Sequence, residues 1–337
     1  MIKKTLLLVI LGGVIIIIAA VLIIWSPFSP NASLIIEKAI TKLVDSKDFK
    51  IEGKISAEVW AKTGDENKEP QKVEVSLLIS ETFSDSGTED AKTSSDFNLT
   101  FGVEGINVNV GGEIVGVKDE IYFKVTTLPT IPFLEGSFDS IKDQWIKIDI
   151  NNIREQLGQL PKEEAVSQEE FINDIKKIAE GKNYFKIKKN LGKENLDELK
   201  VIHYLTRVDK ETIKDSIIGL MDANKEYLSE EEKGIYENEL DNFLKGFEEN
   251  FDTAWEKIDP LEIDFWLHEK DSSLYQVAME KEMSAKDFEM EEIEKIKLNL
   301  VFNFLDVDKK MEIIIPKEFK PIEEIIPLFL PESLPVE

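Results

Sequence analysis

The sequence opens with an uncharged apolar run that is long enough to cross a lipid bilayer. It extends from Thr5 to Trp25, 21 residues that read TLLLVILGGVIIIIAAVLIIW. Because an α-helix rises about 1.5 Å per residue, this run spans roughly 30 Å, the thickness of the hydrocarbon core of a bilayer. Lys3 and Lys4 precede it, and no charged residue follows until Glu37. Positive charge on the cytoplasmic flank therefore predicts a single-pass protein of the cell membrane, with a cytoplasmic N-terminus and an extracytoplasmic main domain.

A cleaved signal peptide is the alternative interpretation of this segment. Signal peptides combine a positively charged start with an apolar stretch of about 7–15 residues and small residues at the cleavage site. The apolar stretch here is longer, and Pro30 stands where a cleavage site at Ala32 needs a second small residue. An uncleaved anchor is therefore favoured. The sequence has no cysteine, which excludes lipid attachment to a cysteine, disulfides and thiolate chemistry.

Acidic residues far outnumber basic ones. There are 67 Asp and Glu against 41 Lys and Arg, a net charge of −26. Phosphate backbones bind proteins mainly through Lys and Arg, so nucleic acid is excluded as a partner. The same charge repels anionic lipid head groups, and we expect the domain to meet the membrane only through its N-terminal helix.

The periodicity of apolar residues predicts a helix, a β-meander, further helices and further strands, in that order. Helical spacing over 31–45 changes to strict alternation over 49–59, which indicates a strand with one buried face. Similar alternation predicts strands at 73–79, 97–101, 106–110, 121–125, 145–149, 184–188, 199–208, 261–267, 274–283, 293–305 and 310–315. Turns are predicted at Gly102–Gly105, Gly111-Gly112, Lys118–Glu120 and Asp306–Lys309. Helices are predicted at 151–160, at 168–180, after Asp209, from Ser229 to Pro260 and at 322–326.

This order of elements predicts an α+β fold, a large curved antiparallel sheet covered by helices and preceded by one transmembrane helix. The predicted divisions are the anchor at 1–25, a neck at 26–32, an extracytoplasmic α+β domain at 33–315 and a proline-rich tail at 316–337.

Catalytic constellations are missing from the sequence. His203 and His268 are the only histidines, each lies on a predicted strand, and about sixty residues separate them. No G-x-S-x-G elbow, phosphate-binding glycine loop or D-x-D-x-D-G calcium loop occurs. We therefore predict a protein that is not an enzyme and has no metal or cofactor.

One aromatic stripe is the candidate ligand-binding surface. Phe243, Phe247, Phe251 and Trp255 recur at helical spacing and form one face of a predicted helix. Simple packing of this face against a sheet is the alternative, because a packed core and a lipid cavity use the same residue types.

Several segments resemble the LolA/LppX superfamily of extracytoplasmic envelope proteins, in particular its LppX/LprG type. They are GGEIVGVKDEIYFKVTTLP, WIKID, HYLTRVD and the closing IPKEFKPIEEII. The resemblance implies a half-open β-barrel whose helical lid encloses an apolar cavity for acyl chains. This sequence departs from LppX-like members in lacking the lipid-modified cysteine and in carrying a membrane anchor. No ligand-contacting residue can be carried over by position.

The leading functional hypothesis is a non-catalytic module that binds an apolar ligand, a lipid or a lipopeptide, beneath a helical lid. An envelope protein-interaction or assembly module, whose cavity is filled by its own side chains, is the alternative.

We expect the mature protein to keep residues 5–25, because this run is long enough to span the bilayer and lacks a cleavage site. N-terminal sequencing of the protein from the membrane fraction tests this expectation. A mature chain that begins near Asn31 would contradict it.

Overall fold

The computed structural model describes residues 34–62, 69–88, 90–103, 106–129, 141–150, 177–178, 182–226, 245–247, 250–284 and 292–325. The chain divides into two compact units. Unit 1 comprises Met1–Asp45, Val59–Pro70 and Ala165–Val301, and unit 2 comprises Ser46–Glu58, Gln71–Glu164 and Phe302–Glu337. Within the described ranges no helix is both long and apolar enough to cross a bilayer. The predicted anchor at 5–25 lies outside these ranges.

Strands dominate the described residues. They are β1 (Phe49–Ala61), β2 (Gln71–Ser84), β3 (Lys92–Val103), β4 (Ile106–Val117), β5 (Glu120–Thr127), β6 (Trp145–Asp149), β7 (Phe185–Leu196), β8 (Leu199–Val208), β9 (Glu262–His268), β10 (Leu274–Ser284), β11 (Ile293–Leu305) and β12 (Lys320–Pro321). The helices are α1 (Leu34–Asp45), α2 (Lys210–Glu226) and α3 (Ile322–Ile325). Residues 245–247 and 250–258 are also helical.

The strands form one sheet in the order β12-β6-β5-β4-β3-β2-β1-β11-β10-β9-β8-β7. Most neighbours in this order are also neighbours in sequence, as expected for a meander, and β12 pairs with β6 in parallel. The prediction of a large antiparallel sheet is confirmed. Its closure into a half-open barrel, its cover by helices and the domain boundary at 315 stay predictions.

In unit 1, helix α1 packs on the sheet through its apolar face. α1 buries Ile36, Ala39, Ile40 and Leu43, which recur at helical spacing, and it contacts β9 and β10. α2 begins where the sequence predicts, because Asp209 Oδ1 accepts hydrogen bonds from the Thr212 backbone N–H at 3.0 Å and from the Thr212 hydroxyl at 2.8 Å. Beneath the helices, alternate residues of β9 are fully buried: Ile263, Phe265 and Leu267.

In unit 2, the glycine pair predicted as a turn lies inside a strand. β4 continues through Gly111 and Gly112, which pair with Asn98 and Phe97. A Cβ on Gly112 would lie 2.6 Å from the Lys124 carbonyl oxygen and 2.9 Å from ring carbons of Phe97. The glycine is therefore required for close approach of a neighbouring backbone and a ring. The turn prediction at this pair was wrong for that reason.

The strand predicted at 310–315 is also wrong. Its apolar alternation is present, because Ile313 is buried while Glu312 and Ile314 are exposed. The backbone of Met311, however, makes hydrogen bonds with side chains and not with the backbone of a neighbouring strand. Its carbonyl oxygen accepts a hydrogen bond from the Ser84 hydroxyl at 3.1 Å, and its N–H donates one to Asp48 Oδ1 at 3.2 Å. The segment packs on the sheet, where Ile313 is buried with Val115 and Tyr122, without adding a strand to it.

Replacing Ile51 by alanine should lower the free energy of unfolding by roughly 2–5 kcal/mol, because its side chain is 1% exposed and the change leaves a cavity. The control is Glu52→Ala on the other face of β1, where Glu52 makes a surface ion pair with Lys50 at 2.7 Å. Such pairs contribute about 0–1 kcal/mol. Urea denaturation measures both changes, and equal losses would show that the assignment of the two faces is wrong.

Candidate functional site: an apolar sheet face

Strands β2 to β5 of unit 2 place their apolar side chains on one face of the sheet. Side chains alternate between faces along a strand, and the register joins Val75 to Phe101 and Phe101 to Val108 across three strands. The same face continues to β5, where Phe123 pairs with Ile114. We call this set the apolar face; it consists of Val73, Val75, Leu77, Ile79, Phe97, Leu99, Phe101, Val103, Ile106, Val108, Val110, Ile114, Ile121, Phe123 and Val125.

The apolar face is only partly covered. At its β6 end, Ile146 is buried in a cluster with Ile141 of the preceding loop and Ile325 of α3. Towards the β3–β4 hairpin the side chains become exposed, and Ile106 reaches 72%. Four further members are exposed by more than a third: Phe101, Val103, Val108 and Ile114. Neighbouring exposed apolar side chains on a soluble domain are typical of a ligand or interaction site, whereas single ones are ordinary.

The opposite face of the same strands carries paired polar groups around a small apolar cluster, in which Val115 and Tyr122 are buried with Ile313. Glu113 forms an ion pair with Lys124 at 2.6 Å, and the Thr100 hydroxyl donates to the Asn109 amide oxygen at 2.8 Å. Hydrogen bonds from Lys147 and Tyr122 hold the pKa of Glu120 below its usual value. The two faces therefore differ in chemistry: the apolar face exposes several neighbouring apolar side chains, whereas the opposite face buries its apolar cluster among paired polar groups.

A single carboxyl group interrupts the apolar face. Glu81 occupies the position in β2 between Ile79 and Phe83, and it pairs across the sheet with Ser95 of β3. Burial raises the pKa of Glu81 above its ordinary value of 4.5. Among the described residues it has no hydrogen-bond or ion-pair partner. A half-buried carboxyl without a partner is less favourable for folding than an exposed one, and such groups occur at sites where a ligand supplies the partner.

Three residues of the predicted aromatic stripe are buried in unit 1. Phe247, Phe251 and Trp255 stack along the helical residues, with ring centroids 5.1 and 5.5 Å apart. Phe251 is 1% exposed, so among the described residues its ring belongs to the buried core of unit 1. Phe243 lies outside the described residues. The role of the stripe as the lining of a ligand cavity stays a prediction, and its burial is what the packing alternative also expects.

The two histidines lie on neighbouring strands and have separate surroundings. The His203 ring stacks on Trp266 with centroids 4.3 Å apart, and its Nε2 is 2.6 Å from Asp264 Oδ1. His268 contacts the Tyr275 ring at 5.2 Å, and burial lowers its pKa. In the part of the chain that the structure describes, no group of three or more His, Asp or Glu side chains could hold a metal ion.

No protein-family model matches this sequence, and no curated protein matches it. Among solved structures, the chain is similar to lipoprotein LppX of Mycobacterium tuberculosis, with 8% identity, a TM-score of 0.33, and coverage of 83% of this chain and 96% of that one. It is also similar to LprF from Mycobacterium bovis, with 11% identity, a TM-score of 0.37, and coverage of 87% and 99%. The first of these is the protein whose name the LolA/LppX superfamily carries, the group that the sequence resembles. No residue of either is carried over, and the candidate site rests on this chain's own side chains.

We expect Glu81→Gln to raise the free energy of unfolding at neutral pH. With its pKa raised by burial, the folded chain binds the Glu81 proton more tightly than the unfolded chain, so the ionised carboxylate destabilises the fold above that pKa. The gain should shrink as the pH falls through the folded pKa and vanish below 4.5. Urea denaturation across this pH range measures it.

Asp96→Asn is the matched control, because Asp96 is exposed on the polar face of β3 and the change also removes one negative charge. The control should show no comparable pH-dependent gain. If Glu81→Gln instead lowers stability at neutral pH, the carboxylate has a partner within the chain, and its assignment as unpaired is wrong.

Proposed function

We propose that this protein is a membrane-anchored, extracytoplasmic, non-catalytic module that binds an apolar ligand, a lipid or a lipopeptide, on the apolar face of β2 to β5. The supporting observation is the partial exposure of that face from Phe101 to Val108 and at Ile114, next to fully buried positions of the same unit such as Ile51 and Phe302. Burying apolar surface gains roughly 25 cal/mol per Å², so a ligand that covers these side chains binds favourably.

The length of the face fits a lipid chain. Ile106 and Ile114 are eight residues apart on β4, which corresponds to a length of about 27 Å along the strand. One leaflet of a bilayer has a hydrocarbon thickness of about 15 Å. An acyl chain therefore finds continuous apolar contact along these strands.

The anchor defines where such a module works. The uncharged segment at 5–25 holds the domain at the outer side of the cell membrane, where lipids and lipoproteins are the available apolar ligands. The acidic domain has no excess of positive charge with which to bind anionic head groups, which supports capture of the hydrocarbon part of a lipid. A tether also favours local hand-over at the membrane over free diffusion.

The second candidate is a protein-interaction or assembly module. The observation that favours it is the burial of Phe247, Phe251 and Trp255 in unit 1, which packing against a sheet also explains. In this alternative the exposed apolar side chains of β3 and β4 contact another protein.

The double variant Phe101→Gln, Val108→Gln separates the two candidates. These residues form a cross-strand pair in the exposed part of the face, so replacing them should change stability little and remove apolar contact with the ligand. The purified ectodomain is extracted with organic solvent, and lipids are quantified per mole of protein by mass spectrometry. We expect lipid in the wild type and a loss of most of it in the double variant.

Leu78→Gln serves as the control, because Leu78 is 50% exposed on the opposite face of β2. This variant should retain lipid at the wild-type level. A wild-type ectodomain that carries no lipid and takes up none from vesicles would contradict the proposal and favour the interaction module.

A further inference from the structure

Glu81 has a defined place in the apolar face. Gly53 of β1 approaches Ile79 and Phe302, and the Phe49 ring stacks on Phe83 with centroids 4.5 Å apart. Phe49 and Gly53 are four residues apart on β1, and their neighbours Phe83 and Ile79 are four residues apart on β2. Ile51, midway along this part of β1, therefore lies opposite Glu81. The Glu81 carboxyl is therefore flanked by Ile51 on one side and by Ser95 on the other.

No cation accompanies this carboxyl in the described part of the chain. Other carboxylates of unit 2 have such partners: Glu113 pairs with Lys124, and Glu58 pairs with Lys72 at 2.6 Å. Neither of these ion pairs belongs to the apolar face. An ionised carboxylate that is half-buried among apolar side chains forms charge-assisted hydrogen bonds with a donor that reaches it, and these are stronger than in bulk water because the effective dielectric constant is lower.

We infer that the ligand is an amphiphile whose head group carries a hydrogen-bond donor, best an ammonium group, and that Glu81 binds this head group. The inference rests on the proposed function and adds the polarity and the orientation of the ligand. The head group lies in the row of Glu81, Ser95 and Ile114, and the alkyl chain extends along β2 and β3 towards Ile106. A carboxylate or phosphate head group without a donor is rejected from this row by repulsion.

The test compares three probes that share one alkyl chain: decylammonium, decanol and decanoate. Their binding to the wild-type ectodomain, Glu81→Gln and Asp96→Asn is measured by isothermal titration calorimetry at neutral pH, below the micelle concentration of each probe. We expect the wild type to bind decylammonium about tenfold more tightly than decanoate, with decanol between them. Glu81→Gln should abolish this preference and still bind decanol, whereas Asp96→Asn should keep the preference.

The outcomes separate the head-group inference from the proposed function. If all three probes bind the wild type with equal affinity, the apolar site stands and the role of Glu81 is overturned. If both variants lose the same part of the preference, general attraction of the acidic protein for cations explains it, and the inference is again overturned. If no probe binds, the proposed function fails together with the inference.

Discussion

A sheet that carries its apolar side chains on one face is stable in water only to the extent that something covers that face. In unit 2 the cover is uneven. Ile146 is enclosed by Ile141 and Ile325 at one end, and Phe49 and Ile51 are buried on β1, but the side chains near the β3–β4 hairpin are open. On the opposite face, ion pairs and hydrogen bonds join the polar groups, and Val115 and Tyr122 are buried with Ile313. Leu78 is exposed there, but the neighbouring exposed apolar side chains lie on the apolar face.

In the proposed site, Glu81 gives the apolar face a preference for one class of head group. Hydrocarbon contact alone gives affinity without direction, because every apolar side chain of the face is an equivalent neighbour for a methylene group. One half-buried carboxyl group, at a fixed position across the sheet from Ser95, gives the face a polar end and an apolar end. The energetic disadvantage of that carboxyl in the empty protein is removed when a donor binds, which couples ligand binding to the stability of unit 2.

Local patterns predicted the strands well and the open face poorly. The strand Leu199–Val208 is found with the predicted bounds, and Asp209 caps the next helix as its position indicates, because both depend on alternation and capping within a few residues. The glycines at 111–112 and the segment 310–315 were misassigned, since only tertiary contacts reveal a ring over Gly112 or side-chain partners for Met311.

The sequence contains an indication of the candidate site that is less conspicuous than the aromatic stripe. In VEVSLLISETFS, the apolar positions from Val73 to Phe83 follow period two, and Glu81 occurs at an apolar position. This departure from the alternation indicates a carboxyl group on the apolar face of the strand. Which face stays uncovered depends on packing between segments distant in sequence, and periodicity carries no information on that. The stripe at Phe247 to Trp255 shows the reverse case, because aromatic spacing on a helix is equally suited to a core.

Photocrosslinking tests most directly whether the apolar face binds hydrocarbon. The ectodomain is incubated with a long-chain amine that carries a diazirine on its alkyl chain, irradiated, digested and mapped by peptide mass spectrometry. The proposed site predicts that adducts concentrate in 71–84 and 92–117, and that unlabelled long-chain amine in excess prevents them. Adducts confined to 245–258, or spread over the surface without competition, would contradict it.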